Sequence, residues 1–188
     1  MIPLPPQSKI EYQCGRISSL VLLILSTSQL AAAAPYFEIQ VVDDRTGRGV
    51  PGVELDTVNH VRYVTDSAGR VAYHEPGHDS RTVFFKTRSH GYEFPKDGFG
   101  QTGQRLEITP GARNVIKARR INLAERLYRT TGEGIYRDSV LLGYPTPIEQ
   151  PVLNADITGQ DSIQRAIMGG KVRWFWGDTT RLSYPLGN

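Results

Sequence analysis

The chain has 188 residues, of which 39% are hydrophobic, 9% aromatic and 22% charged. These fractions are typical of a globular protein, and they exclude a wholly disordered chain, a collagen-like repeat and a coiled coil. The formal net charge of +3 is too small and too evenly spread to indicate a nucleic-acid-binding protein. A single cysteine excludes an intramolecular disulfide framework and a cysteine-rich zinc module. We expect no cofactor and no metal site.

Residues 1–33 have the pattern of a signal peptide. Lys9 and Arg16 are followed by an apolar run over 17–25 and then by small residues. The alternatives, a buried helix or a membrane anchor, fit less well because a membrane span needs roughly 20 apolar residues. We predict cleavage after Ala33. The sequence therefore indicates a secreted or periplasmic protein that has no membrane segment after signal cleavage.

Residues 36–122 predict an all-β domain made of short strands. Phe37–Val41 alternates between apolar and polar side chains, which is the period of a half-buried strand. Further strand candidates at 82–86, 105–109 and 114–120 are separated by turn residues, and no stretch shows a 3.6-residue apolar stripe. Several short strands at this spacing predict a β-sandwich.

Two motifs in this domain carry a family resemblance. Residues 49–53 read GVPGV and residues 65–71 read TDSAGRV. This pair resembles the glycine–proline and Thr-Asp-x-x-Gly motifs of carboxypeptidase-regulatory-like domains. The resemblance implies a transthyretin-like, Ig-like sandwich with a structural or accessory role, often with carbohydrate or protein contacts and usually without catalysis.

One pair of histidines has the spacing of a metal site. His74 and His78 are four residues apart, and Glu75 or Asp79 would complete a ligand set. A Pro-Gly dipeptide between the two histidines breaks the helix that would bring them onto one face. We therefore interpret this stretch as a polar loop.

Residues 123–157 are interpreted as a proline-rich linker. Asn122 is a candidate helix cap, and leucines follow at positions 123 and 127. This pattern predicts one or two helical turns at the start of the linker. Three prolines within 144–151 indicate an extended, semi-rigid chain. The linker is either a strap that crosses to a second domain or a simple spacer.

The clearest local prediction is a β-hairpin over 162–177. The Gly-Gly pair at 169–170 suits a two-residue turn, and the alternation places Val172, Trp174 and Trp176 on one face of the second arm. Two interpretations of the tryptophan pair stay open. The rings belong to a hydrophobic core, or they form a platform on which a sugar ring stacks.

The C-terminal region carries a second resemblance. Residues 158–162 (TGQDS) and 171–179 (KVRWFWGDT) resemble the opening blade of secreted bacterial five-bladed β-propellers of the glycoside-hydrolase-like kind. The resemblance implies that Asp161 and Asp178 are catalytic carboxylates near the propeller axis. It also implies that Arg181 contacts a substrate anion or hydroxyl. The alternative is that both aspartates cap strand-end turns.

A propeller typically needs four or more blades, and the sequence shows the pattern of one. We therefore interpret residues 158–188 as a partial, truncated blade that lacks a complete active site. The favoured hypothesis is a secreted, non-catalytic β-sandwich accessory module whose partner is carbohydrate or another envelope protein, bound through Trp174, Trp176 and Arg181. The alternatives are a glycoside-hydrolase-like enzyme built around Asp161 and Asp178, and an envelope interaction module that uses an exposed sheet edge.

Overall fold

The computed structural model describes residues 35–130 and 132–185, and this part of the chain is all-β with one short helix. The signal peptide expected at residues 1–33 lies outside the described residues. Eight strands form two four-stranded sheets: β1 (Phe37–Asp43), β2 (Glu54–Asp56), β3 (Arg62–Val64), β4 (Arg70–Tyr73), β5 (Thr82–Arg88), β6 (Tyr92–Glu93), β7 (Gly103–Glu107) and β8 (Arg113–Arg120). The remaining elements are the helix α1 (Arg137–Leu141), a 3-10 turn (Asn154–Asp156), β9 (Ile157–Met168) and β10 (Lys171–Arg181).

The first sheet has the strand order β4-β1-β8-β6, and the second has the order β3-β2-β5-β7. β1 is antiparallel to β4 but parallel to β8, with Ile39 opposite Asn114. Every pair in the second sheet is antiparallel. Because β1 and β8 are parallel, the chain must cross over between them, and the four strands of the second sheet all lie within that connection.

Both sheets contribute to one hydrophobic cluster. The inward side chains alternate along each strand, as the sequence pattern predicts, and the cluster contains Phe37, Ile39, Val41, Leu55, Val71, Tyr73, Phe85, Leu106 and Ile116. Tyr73 is fully buried in this cluster and makes edge-to-face contacts with Phe85 and Tyr63 at ring-centroid distances of 5.0 and 5.1 Å. Such aromatic contacts add to the stability that burial provides.

The outward face of β1 is covered by the chain that follows β8. Glu38 points away from the cluster yet is buried, because the Tyr144 hydroxyl donates to its carboxylate at 2.7 Å and Arg70 pairs with it at 3.1 Å. The Arg70 guanidinium also lies 4.0 Å from the centre of the Tyr144 ring. The segment interpreted as a linker is thus bound to the first sheet.

The helix predicted at Asn122–Tyr128 is wrong. The described chain is irregular there, and the helix lies further on, at Arg137–Leu141. Leu123 is fully exposed, so the predicted stripe has nothing to pack against. Arg126 instead holds the segment extended by donating to the Pro51 carbonyl and the Ser89 hydroxyl at 2.8 and 2.9 Å. These tertiary hydrogen bonds override a weak local helix preference.

The predicted hairpin is present. β9 and β10 form a separate two-stranded antiparallel sheet, and Met168 lies opposite Lys171 across the Gly169-Gly170 turn. Both turn glycines have positive φ, of 58° and 71°, as a primed two-residue turn requires. Among the described residues, no helix is long and apolar enough to cross a membrane.

Candidate functional site

The tryptophan pair lies on one face of β10. Trp174 is opposite Arg165 of β9, and alternation places Trp176 on the same face two residues later. The two ring centroids are 6.5 Å apart and the ring planes are inclined by 28°. Phe175, between them, points to the other face of the hairpin and is 53% exposed. The strand geometry therefore holds two nearly parallel indoles side by side.

These two rings line a groove of about 470 Å³. Its other walls come from the segments that flank α1. The apolar and aromatic lining consists of Tyr128, Ile135, Tyr136, Pro147, Ile148, Trp174 and Trp176. Trp174 is 38% exposed, so the pair is neither a fully buried core element nor free in solvent. The groove has the mainly apolar character that is common in ligand sites.

The walls opposite the hairpin are held by backbone hydrogen bonds. Ile135 is buried and its carbonyl accepts a bond from the Ser67 N–H at 2.8 Å, which ties this wall to the turn after β3. The Tyr136 N–H donates to the Pro151 carbonyl at 2.7 Å. These bonds fix the chain on both sides of the groove before any ligand binds.

Polar groups are few in this groove. Burial raises the pKa of Tyr136, so its phenol is neutral near pH 7 and can both donate and accept a hydrogen bond. Arg129, Thr130 and Asn154 also line the groove. The indole N–H of Trp176 is buried and has no hydrogen-bond partner in the described part of the chain, so that ring is positioned by packing alone.

The predicted catalytic residues lie elsewhere on the hairpin. Asp161 is opposite Gly177, and its carboxylate accepts a bond from the neighbouring Ser162 N–H at 2.6 Å. Asp178 and Arg181 are exposed on β10. None of these three side chains is among the described residues that line the tryptophan groove.

A break in strand register explains where the aspartates sit. Phe175 is opposite Gln164, whereas Gly177 is opposite Asp161, so β9 contains one extra residue at this point. Ser162 and Asp178 both have positive φ, of 51° and 39°. A second shift follows, because Thr180 is opposite Gly159, which leaves one extra residue in β10 around Asp178. These bulges change the direction of the aspartate side chains and separate them from the alternation that places the tryptophans.

Sequence reasoning missed half of this site. The sequence places Tyr128, Ile135 and Tyr136 in a linker, and only their aromatic or apolar character indicates a packed surface. Their position depends on hydrogen bonds to the turn after β3, more than sixty residues earlier in the chain. A single sequence does not reveal such long-range pairing.

The histidines of the polar loop at 74–79 contact tyrosines. His78 Nδ1 shares a hydrogen bond with the Tyr73 hydroxyl, and Glu75 accepts one from the Tyr63 hydroxyl. His74 packs edge-to-face on Tyr36 at a centroid distance of 5.9 Å. Within the residues that the structure describes, no three histidine, cysteine, aspartate or glutamate side chains cluster as metal ligands.

Comparison with known proteins gives no family for this chain: no family model matches it, and no curated protein matches it.

Proposed function

We propose that this chain is a secreted, non-catalytic module that binds carbohydrate through the groove between the hairpin and α1. The observation that carries the proposal is the nearly parallel pair Trp174 and Trp176, which lines an apolar groove of about 470 Å³. Flat aromatic faces pack on the C–H faces of pyranose rings, and Tyr136, Thr130 and Asn154 can hydrogen-bond to sugar hydroxyls.

The positions of the carboxylates favour binding over hydrolysis. A glycosidase needs two carboxyl groups that flank the bond to be cleaved. Asp161 and Asp178 do not line the groove, and Asp161 is engaged with its own neighbour Ser162. A sugar seated on the tryptophans would therefore lie away from both aspartates. We propose a turn-capping role for these two residues.

We further propose that the two four-stranded sheets are a transthyretin-like β-sandwich of the carboxypeptidase-regulatory-like kind. Three observations support this: the shared hydrophobic cluster, the parallel pairing of β1 with β8, and the Thr-Asp-x-x-Gly turn at 65–69. The hairpin, in this proposal, is a blade-like element of the propeller type. Function does not follow from this fold, and the proposed activity depends on the groove.

Export is part of the same proposal. The support is the basic start and apolar run within residues 1–33. Expression of the full chain in a bacterial host, followed by mass measurement of the periplasmic product, tests it. We expect a product that starts at Ala34, and a cytoplasmic product of full mass would contradict export.

The binding proposal is tested by calorimetric titration of the full chain with a panel of neutral polysaccharides. We expect at least one polysaccharide to bind, and Trp174→Ala to weaken that binding by about five- to tenfold, as loss of an aromatic contact of about 1–1.5 kcal/mol implies. Phe175→Ala is the matched control, because it removes an exposed aromatic ring from the opposite face of the same strand.

Two results would contradict the proposal. Absence of binding across the panel removes the carbohydrate function, and equal weakening by Phe175→Ala places the binding surface outside the groove. Release of reducing sugar by the purified chain, abolished by Asp178→Asn, would replace a binding module with an enzyme.

One observation favours a second candidate, a protein-interaction module. Within the described chain, β9 and β10 pair only with each other, and the hairpin exposes Ile163, Ile167 and Val172. Long unpaired strand edges beside apolar side chains favour strand addition by another protein. Concentration-dependent association in sedimentation experiments would support this candidate, and a monomer at all concentrations would count against it.

A further inference from the structure

A second cavity, of about 500 Å³, lies on the outward face of β5 and β7. Its polar lining includes His78, Arg81 and Arg105, and its exposed apolar surface comes from Val58 and Phe84, since the Val83 side chain belongs to the hydrophobic cluster on the other face. Arg105 lies directly opposite Phe84 in the β5–β7 register, so this guanidinium and the aromatic ring share one face. Within the described residues, no carboxylate lines this cavity.

The positive charge at this cavity is not neutralised by the surrounding protein. On the same face of the sheet, Arg62 is paired with Asp56 at 2.7 Å. By contrast, Arg81 and Arg105 form no salt bridge and no side-chain hydrogen bond with any described residue. Two unpaired guanidinium groups beside an apolar surface can donate charged hydrogen bonds to a planar anion such as a carboxylate.

Two acidic residues lie close in sequence to the residues that line the cavity, but neither is part of the lining. Asp79 follows His78, and Glu107 lies on the same face of β7 as Arg105, opposite the cavity-lining Thr82. Both side chains are exposed, neither lines the cavity, and neither forms an ion pair with a described residue. The cavity therefore keeps a net positive lining.

His78 adds a third polar group. Its Nδ1 is hydrogen-bonded to the hydroxyl of Tyr73, a buried residue of the hydrophobic cluster. Burial raises the pKa of Tyr73 to about 12, so the phenol keeps its proton and can donate it to Nδ1. With Nδ1 used in this bond, Nε2 is the ring nitrogen of His78 that remains for a ligand in the cavity that this residue lines.

The loop that carries two of these polar groups is held in place by the backbone. The Ser80 N–H donates to the Ile108 carbonyl at 2.7 Å, and the Ile108 N–H donates to the Arg81 carbonyl at 2.9 Å. The Arg81 N–H also donates to the His78 carbonyl at 3.1 Å. A ligand that meets these groups does not have to order the loop first, and this lowers the entropy cost of binding.

We propose that this cavity binds a small organic carboxylate, with the carboxylate on Arg81 and Arg105 and the apolar body of the ligand on Phe84. A free inorganic anion would use the guanidinium groups but not the apolar surface. A neutral sugar would use the apolar surface but would bring no negative charge to pair with the guanidinium groups. A sugar acid such as a uronate satisfies both parts of the cavity.

The test is to titrate the full chain with galacturonate, galactose and inorganic phosphate in separate experiments. Binding is monitored through the NMR chemical shifts of residues 80–84 and 105. We expect galacturonate to bind about tenfold or more tightly than either other probe. Arg81→Gln and Arg105→Gln should each weaken galacturonate binding by about tenfold, since each removes a charged hydrogen bond. Both side chains are exposed, so the melting temperature should stay unchanged.

Lys86→Gln is the matched control, because Lys86 lies on the same face of β5 but outside the cavity. We expect it to leave galacturonate binding unchanged, and Trp174→Ala to do the same, which separates this site from the groove. Equal binding of galactose or of phosphate, or equal weakening by Lys86→Gln, would overturn the proposal.

Discussion

The carboxylate of Asp66 accepts two hydrogen bonds from Ser139, one from the backbone N–H at 2.8 Å and one from the hydroxyl at 2.6 Å. Its other oxygen accepts bonds from the N–H groups of Ala68 and Arg70 at 2.9 and 3.0 Å. Asp66 and Ser139 are each 1% exposed. One buried side chain thus closes the turn before β4 and anchors α1, which adjoins a wall of the tryptophan groove.

The first prediction concerns this link. Ser139→Ala removes one buried hydrogen bond and should lower the free energy of unfolding by about 1–2 kcal/mol. Asp66→Ala leaves several buried donors without a partner and should cost about 3 kcal/mol or more. Denaturant unfolding measures both changes. Ser183→Ala, in an exposed turn, is the control and should leave the free energy of unfolding unchanged. Equal effects of all three variants would contradict the role assigned to the Asp66–Ser139 link.

The second prediction concerns the two glycine motifs. A Cβ at Gly69 would lie 2.5 Å from the Val41 carbonyl oxygen and 2.6 Å from the Gly49 Cα, and Gly69 has φ of +72°. Gly69→Ala should therefore cost about 3 kcal/mol, from backbone strain and overpacking together. Gly47 has nearly the same φ, +71°, but open space around it.

Gly47→Ala is therefore the matched control for Gly69→Ala, and it should cost about 1–2 kcal/mol from backbone strain alone. The difference in unfolding free energy between the two variants, measured by thermal and denaturant unfolding, separates backbone strain from the steric clash of a Cβ at position 69. Equal losses at both positions would show that the close approach of Gly69 to Gly49 and Val41 contributes nothing.

The third prediction concerns Asp138, whose carboxylate accepts a bond from the Ala72 N–H at 2.8 Å. Burial raises the pKa of this carboxyl above its ordinary value of 3.8. Because the pKa is raised on folding, the folded chain binds this proton more tightly than the unfolded chain does. The stability contributed by Asp138 is therefore present below pH 3.8 and is lost as the pH rises through the pKa of the folded chain.

Asp138→Asn keeps an acceptor for Ala72 but has no charge to desolvate. We expect the two proteins to have similar stability at low pH, and the Asn variant to become the more stable one as pH rises toward neutrality. Unfolding free energies of both proteins across that range measure the difference. A constant difference, or one of opposite sign, would contradict the assigned burial.

The fourth prediction concerns Tyr73. Burial, with a smaller effect of the Glu75 charge, raises the pKa of this phenol from 10.0 to about 12. The stability that Tyr73 contributes should be fully present below pH 10.0 and be lost as pH rises toward 12. Tyr73→Phe should lose less stability over that interval than the unaltered chain. Phenolate absorbance should show one fewer late-titrating tyrosine in the variant.

Local patterns predicted the local structure well. Alternation along Phe37–Val41 and along β10, together with the Gly169-Gly170 turn, gave strands and a hairpin at the observed positions. These features depend on neighbours within a few residues, which the sequence displays directly. The all-β class follows from the same signals.

Long-range contacts were not predictable in the same way. α1 lies at Arg137–Leu141 because Asp66 captures Ser139, and the segment at Asn122–Tyr128 stays irregular because Arg126 binds the loops around Pro51 and Ser89. Neither partner is near in sequence, so helix propensity alone misplaced the helix. The groove shares this dependence: the tryptophans were predictable from alternation, but the opposite wall was not.

The most direct test of the groove is its own fluorescence. The chain contains two tryptophans, Trp174 and Trp176, and both line the groove, so the intrinsic emission reports on this site. We predict that titration with a bound neutral polysaccharide shifts the emission to shorter wavelength and saturates at the affinity found by calorimetry. An emission spectrum that stays unchanged while that polysaccharide binds would contradict the proposed function.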